Sequence, residues 1–298
     1  MRFVTFSVNN SAATLGIVIG DRVVDLRTAL QGTVDVPEGL LDYIKAGEVL
    51  HAQVRTAVAQ SADFGADSSF ALADVRLHAP FRPGKIVGVG LNYVEHVEES
   101  SRTLDTDKDL PTRPVLFSKP GTAVVGPGEP IRHNGAMTQQ LDWECELAVV
   151  IGTAALGIDE SSALSYVFGY SIVNDISARD QRRSGQWFFS KGQDSYAPFG
   201  PMVVTTDEIP DPHTLQLSLT VNGDQRQNGN SEHMLFKIPT LIADISSGVT
   251  LEPGDVIATG SPQGVGAAMD PPTFLKPGDV VACTIESIGT LTNPVVAV

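Results

Sequence analysis

The amino-acid sequence predicts a β-rich α+β fold: a mixed sheet, coiled into a β-roll or barrel-like core, with a smaller N-terminal α+β domain in front. Three observations carry this reading. After Val115 the chain is mostly short apolar runs bounded by turn residues, and stretches with helical spacing are few. Leu251-Glu252-Pro253-Gly254-Asp255-Val256-Ile257 recurs as Leu275-Lys276-Pro277-Gly278-Asp279-Val280-Val281, each a Pro-Gly turn leading into a Val-rich strand. Asn222-Gly223, between Leu215 to Val221 and Gln225, marks a two-residue hairpin.

Taken in order, Phe3 to Val8, Leu15 to Ile19 and Arg22 to Leu26 read as three strands, separated by Asn9-Asn10 and Gly20-Asp21. Leu40 to Ala46 and Leu50 to Ala62 have helical spacing, with Leu50, Val54 and Val58 four apart. Pro80-Phe81-Arg82-Pro83-Gly84 then punctuates the chain. A boundary there gives a small domain over 1–79 and a catalytic one over 80–298. Lys85 to Gly90 reads as a buried strand and Asn92 to Ser100 as a short helical turn, followed by a charged loop from Ser101 to Arg113.

The catalytic section centres on Leu141-Asp142-Trp143-Glu144-Cys145-Glu146-Leu147, which runs into apolar Ala148 to Ile151. In an extended strand Asp142, Glu144 and Glu146 share one face, while Trp143, Cys145 and Leu147 take the other. Unpaired carboxylates repel and are costly to bury. A hard divalent cation, Mg2+ or Mn2+, would answer that face with oxygen coordination; a solvated edge strand is the alternative. Tyr170 to Asn174 is a second apolar strand, and it ends in Asp175, placed to supply a third ligand.

Composition narrows the function. The chain has 298 residues, 42% hydrophobic and 18% charged, as in an ordinary globular protein. A net charge of -15 argues against nucleic acid and anionic lipid as partners. No apolar run approaches a membrane span, and Cys145 and Cys283 make no CxxC pair, so a reducing cytoplasm is expected. Gly88-Val89-Gly90 lacks the third glycine of a dinucleotide fingerprint, and Gly260 to Gly266 lacks the P-loop ending. These glycines are read instead as backbone brought close to an anionic ligand, with the Thr259 hydroxyl beside it. No serine-hydrolase elbow is present.

Five blocks in order resemble the fumarylacetoacetate hydrolase family: Gly90-Leu91-Asn92-Tyr93 through His96 to Glu99, Asp142 to Glu146, Asn174 to Asp180, Lys191 to Pro201, and Thr259 to Gly266. The resemblance spans roughly residues 80 to 298 and implies that family's β-rich catalytic fold. It implies Glu144, Glu146 and Asp175 as ligands of one divalent cation per subunit, with Asp142 behind them. His96 and Glu99, three apart on a helical turn, become a dyad that activates water. Lys191, flanked by Trp187-Phe188-Phe189, would stabilise a developing enolate. Arg179 would fork onto a substrate carboxylate, and Thr259 and Gly260 would border the substrate. Arg182 stands where many relatives carry Gln, which leaves the outer substrate contacts open. The 101–113 loop is expected to act as a lid, and the assembly to be a homodimer.

The function expected on this basis is metal-dependent hydrolysis of a carbon–carbon bond in a 2,4-dioxo acid, an acylpyruvate or a diketo-deoxy-sugar acid. The alternative on the same fold is an oxaloacetate-type decarboxylase, or a dehydratase or isomerase of 2-oxo acids. A non-catalytic oxo-acid-binding protein is a rival of another class.

Overall fold

The computed structural model describes residues 1–9, 11–61, 64–94, 110–183 and 185–298. The N-terminal section folds as β1 (Arg2–Ser7), β2 (Thr14–Ile19) and β3 (Arg22–Asp25), joined later by β4 (Ser69–Ala71) and β5 (Arg76–His78). Between them lie α1 (Leu26–Ala29) and α2 (Leu40–Gln60). The two expected helical runs are this one element, broken at Gly47, whose φ of 80° is easy only for glycine. Phe3 stacks against Tyr43 at 4.9 Å and Phe168 at 5.6 Å, so α2 covers the start of the chain.

The catalytic section adds β6 (Lys85–Gly90), β7 (Val115–Pro120), β8 (Val124–Val125), β9 (Ile131–His133), β10 (Leu141–Asp142), β11 (Cys145–Ile151), β12 (Val167–Asn174) and β13 (Ser177–Ala178). Then follow β14 (Ala197–Thr205), β15 (Gln216–Val221), β16 (Asp224–Asn230), β17 (Val256–Ala258), β18 (Val280–Ile285) and β19 (Gly289–Ala297). Short helices α3 (Glu160–Ala163) and α4 (Phe188–Lys191) interrupt them, and α5 (Ile238–Ser246) is longer. The strand-rich reading after Val115 passes over α5. Its Ile238, Leu241, Ile242 and Ile245 are buried at helical spacing, and a proline sits in its first turn.

The main sheet runs β4-β3-β2-β1-β14-β12-β11-β17-β6-β7, with β5 on β1 and β8 on β14. It is mixed, since β17 pairs parallel with β6 and β8 parallel with β14. Among the described residues its path has two ends and does not close, so the β-rich α+β class holds in an open form. A second sheet, β16-β15-β18-β19-β9, carries the expected hairpin: Asn222 (φ 54°) and Gly223 (φ 86°) make the two-residue turn. The two Pro-Gly-Asp turns also form. Gly254 and Gly278 take positive φ, and Asp255 and Asp279 each accept the amide three residues back, from Glu252 and Lys276. One turn feeds the main sheet through β17 and the other feeds the second sheet through β18.

β11 is buried along its whole length. Cys145, Leu147, Val149 and Ile151 enter one apolar core, and Ala148 and Val150 the other. Covered on both faces, it reads as a continuous apolar run. Glu144 and Glu146 therefore open from the middle of the molecule. No helix among the described residues is long and apolar enough to cross a membrane.

Candidate active site

The strand expected from Leu141 to Ile151 is broken at Trp143-Glu144, which splits β10 from β11. Asp142 is not one of the three carboxylates that come together at the site. Its oxygens accept the Gly266 amide at 2.7 Å and the Ala267 amide at 3.0 Å, and pair with Arg179 Nε at 2.9 Å. Asp142 thus anchors the 264–267 loop and Arg179, in a supporting place behind the triad.

Glu144 and Glu146 stay together because β11 begins beside the end of β12, with Cys145 opposite Asn174 and Glu146 opposite Val173. That register drops Asp175 next to Glu144, where its amide donates to the Glu144 carbonyl at 2.8 Å. The Glu144 amide donates to Asn174 Oδ1 at 3.1 Å, and the Cys145 amide to Gln227 Oε1 at 2.8 Å. One oxygen from each of Glu144, Glu146 and Asp175 lies within 4.8 Å of the others, and all three residues are buried.

Among the described residues, three cations surround this triad. Lys191, at the end of α4, donates from Nζ to Glu144 Oε2 at 2.7 Å, to Ser177 Oγ at 3.0 Å, and to Asp175 Oδ2. Lys119, on β7 and buried, pairs with Asp175 Oδ1 at 2.6 Å and donates to the Ile176, Lys191 and Tyr196 carbonyls. Arg179 bridges Asp142 and Glu144, the latter at 2.7 Å. Asp180, next in sequence to Arg179, accepts hydrogen bonds from Thr138 Oγ1 and the Gln139 amide.

Glu146 has the Gly260 amide at 3.0 Å and no ion pair with a described Lys or Arg. Burial, with Asp175 and Glu144 nearby, pushes its carboxyl well above the ordinary carboxylate range. Burial also raises Asp175, against the pull of Lys119 and Lys191. For Lys191 burial opposes the charge, but Asp175 and Glu144 prevail and its pKa rises. Burial lowers Lys119 despite Asp175. Among the described residues Asp142, Glu144, Glu146 and Asp175, when all are ionised, are four carboxylates facing three cations, which leaves them one positive charge short. A carboxylate-only donor set of this size, deficient in positive charge, fits a hard divalent cation.

The glycine segments also have packing and hydrogen-bonding roles within the protein. A Cβ on Gly88 would lie 2.1 Å from the Phe117 ring, and one on Gly90 2.3 Å from the Trp187 ring. Both glycines make room for aromatic rings. Phe117 and Trp187 in turn hold their ring centres 4.7 and 5.9 Å from Lys191 Nζ. Gly260 (φ 97°) gives its amide to Glu146, and the Thr259 hydroxyl donates to the Leu147 carbonyl at 2.9 Å. Both therefore hold the ligand strand in place.

The structure brings together Asp142, Glu144, Glu146, Asp175, Arg179, Lys191, Thr259 and Gly260. His96, Glu99 and the 101–113 loop as far as residue 109 lie outside the described residues. Sequence reasoning missed Lys119 and Gln227. The only signal for Lys119 was one cation inside the apolar run from Val115 to Pro120.

Residues 85–296 match the fumarylacetoacetate (FAA) hydrolase C-terminal family. Over 305 residues the chain is 39% identical to oxaloacetate tautomerase YisK of Bacillus subtilis (strain 168), covering 99% of this chain and 100% of that one. A similar solved structure is the fumarylacetoacetate hydrolase of psychrophilic Exiguobacterium antarcticum, at 36% identity and TM-score 0.83, with both chains covered in full. Another is maleylpyruvate hydrolase from Sphingobium sp. SYK-6 in complex with manganese(II) ion and pyruvate. It shows 30% identity and TM-score 0.79, covering 100% of this chain and 99% of that one.

Proposed function

The chain belongs to the fumarylacetoacetate hydrolase family, and from that premise we propose that it is a divalent-metal-dependent tautomerase of oxaloacetate. The observation that carries this is the full-length similarity to an oxaloacetate tautomerase at 39% identity. It favours the isomerase alternative over the expected cleavage of a 2,4-dioxo acid. The triad supports the metal requirement, and Mg2+ and Mn2+ both suit its oxygen ligands.

Tautomerisation moves one proton between C3 and the 2-oxygen of the substrate while the π bond shifts between C2–C3 and C2–O, and no carbon–carbon σ bond is made or broken. Glu144, Glu146 and Asp175 would hold the cation, which when bound supplies Lewis acidity toward the 2-oxo-carboxylate end. Lys191, charged and fixed by Glu144 and Asp175, would answer the negative charge that develops on the 2-oxygen. Phe117 and Trp187 cover that ammonium and keep water from screening it. Gly260 and Asn174 hold Glu146 and Glu144 in register. His96, oriented by Glu99, is proposed to carry the C3 proton on sequence grounds alone. A homodimer with one cation per subunit is proposed on the family resemblance, and a cytoplasmic location on the absence of a cysteine framework.

Carbon–carbon hydrolysis remains as a second reading, supported by the likeness to maleylpyruvate hydrolase with manganese and pyruvate. One experiment separates the two. The Mg2+- or Mn2+-loaded protein is given oxaloacetate enol and, separately, an acylpyruvate. Enol absorbance and released pyruvate are then followed. Faster enol-to-keto conversion without pyruvate is the expected result. Pyruvate from the acylpyruvate would make it a hydrolase, and pyruvate from oxaloacetate a decarboxylase.

A further inference from the structure

Glu144 and Glu146 flank Cys145 at the start of β11, ahead of the stretch from Ala148 to Val150 that pairs with β17. Buried amides outside that ladder need other acceptors. The Cys145 amide finds one in Gln227, a fully buried side chain of the second sheet, whose Oε1 accepts it at 2.8 Å. From the other end of the same group, Nε2 donates to Ser261 Oγ at 2.6 Å and to the Pro262 carbonyl at 2.7 Å. These partners fix which end is which, since a main-chain N–H needs an acceptor and a carbonyl a donor. Ser261 follows Gly260, whose amide donates to Glu146 at 3.0 Å. One side chain thus spans from the peptide between two ligands to the loop that steadies one of them.

The strand β16 is shaped for this reach. Leu219 stands opposite Gln227 and Thr220 opposite Gln225, so Arg226 is an extra residue in the strand. A bulge of this kind bends a strand and re-aims its side chains. On either side of Gln227 the backbone presses on the loop. A Cβ on Gly229 would lie 2.5 Å from the Pro262 Cβ, and one on Gly264 2.0 Å from the Arg226 carbonyl oxygen. Glycine at those two positions permits the approach that brings Gln227 within hydrogen-bond reach of both sides.

We infer that Gln227 is a positioning residue for the metal centre: from the second sheet it fixes the backbone between Glu144 and Glu146 and keeps the Gly260 amide on Glu146. This rests on the reading of the triad as a divalent-cation site. Gln227→Met keeps the length of the side chain and removes its three hydrogen bonds. Gln227→Asn keeps the amide one carbon short, and serves if the first variant does not fold. Asn293→Leu is the control, since Asn293 is a buried amide of the same sheet bonded to the Gly126 and Glu129 carbonyls. Loss of a partner that orients a ligand costs roughly 10- to 100-fold in metal affinity. Calorimetry should show Mn2+ binding weakened by about that factor in Gln227→Met, by less in Gln227→Asn, and not at all in Asn293→Leu. The Mn2+ concentration for half-maximal turnover of oxaloacetate should rise in parallel. Wild-type affinity in the Gln227 variants overturns the assignment. So does an equal loss in Asn293→Leu, which would mark a general loosening.

Hydrogen exchange in the metal-free protein keeps this separate from the metal reading. The Cys145 and Gly260 amides should exchange faster in the Gln227 variants, while the Val149 amide, within the β11 ladder, keeps its wild-type rate. A wild type that binds no Mn2+ sinks the metal reading, and exchange then decides on Gln227 alone. Faster exchange at Gly260 supports its role; a wild-type rate there overturns it.

Discussion

Glu146 sits 1% exposed between Cys145 and Leu147, with the Gly260 amide as its hydrogen-bond donor. Its raised pKa means that the metal-free folded protein keeps a proton that the unfolded chain sheds above the ordinary carboxylate range. Metal-free stability should therefore fall as pH rises out of that range toward the folded value. A cation at the triad displaces that proton, so Mn2+ affinity should rise with pH over the same window. Calorimetry in buffers of different ionisation enthalpy should show proton release on Mn2+ binding. Glu146→Gln should reduce that release to the share that comes from Asp175. It should weaken Mn2+ binding by more than the ~10–100-fold typical for groups that merely support a ligand. The metal-free melting temperature should not drop, since a buried, repelled carboxyl has gone. Unchanged Mn2+ affinity in this variant would remove Glu146 from the site. Alternation and the strand-end position made Glu144, Glu146 and Asp175 legible in the sequence. Lys119 was not, because its pairing with Asp175 depends on how β7 and β12 lie in space, and local pattern carries no trace of that. Arg179 was legible as a cation in a motif, but its partners Asp142 and Glu144 were not, being 37 and 35 residues away.

Among the elements, β6 shows how a strand can serve the site without lending it a side chain. Gly88 and Gly90 leave two gaps, filled by the Phe117 and Trp187 rings, which stand 5.5 Å apart. Gly90→Ala puts a methyl 2.3 Å from the indole and forces Trp187 to move. Overpacking of this kind typically costs about 1–3 kcal/mol. The expected outcome is a loss of that size in denaturant unfolding, with a changed tryptophan emission as the indole leaves Lys191 and Arg182. Wild-type stability and emission would show that the ring has room the structure does not indicate. Turn chemistry made the best elements legible: the Asn222-Gly223 hairpin and both Pro-Gly-Asp turns form as read. The β10/β11 break was illegible because Trp143-Glu144 holds no glycine or proline. α5 was passed over because β-branched residues such as Ile238, Ile242 and Ile245 suit a strand as well, although their spacing is helical.

At the scale of the whole molecule, the punctuation at Pro80 to Gly84 separates two sections that share one sheet. β1 hydrogen-bonds to β14, with Arg2 opposite Val204 and Phe3 opposite Val203, so residues 1–79 extend the catalytic sheet beyond the family-matched region. β14 is buried along all nine residues, and one side of it is paired by β1. Phe3, Leu15, Val24, Leu40, Tyr43 and Ile44 share one apolar core with Val150, Val173, Phe199 and Val203 of the catalytic section. Removing residues 1–79 would bare that core together with the β14 edge at Val203 and Val204, and an exposed apolar edge pairs readily with other chains. Independent folding of a small domain over 1–79 and a catalytic one over 80–298 can thus be judged directly. The 80–298 chain should melt well below the full chain. It should also form concentration-dependent assemblies larger than those of the full chain, seen by light scattering after size-exclusion chromatography. The triad lies on β11 and the end of β12, one strand in from β14, so Mn2+ binding should weaken in the truncated chain as well. If 80–298 melts within a few degrees of the full chain, with matching size and Mn2+ affinity, the N-terminal strands are a dispensable appendage and the catalytic sheet is complete at β14.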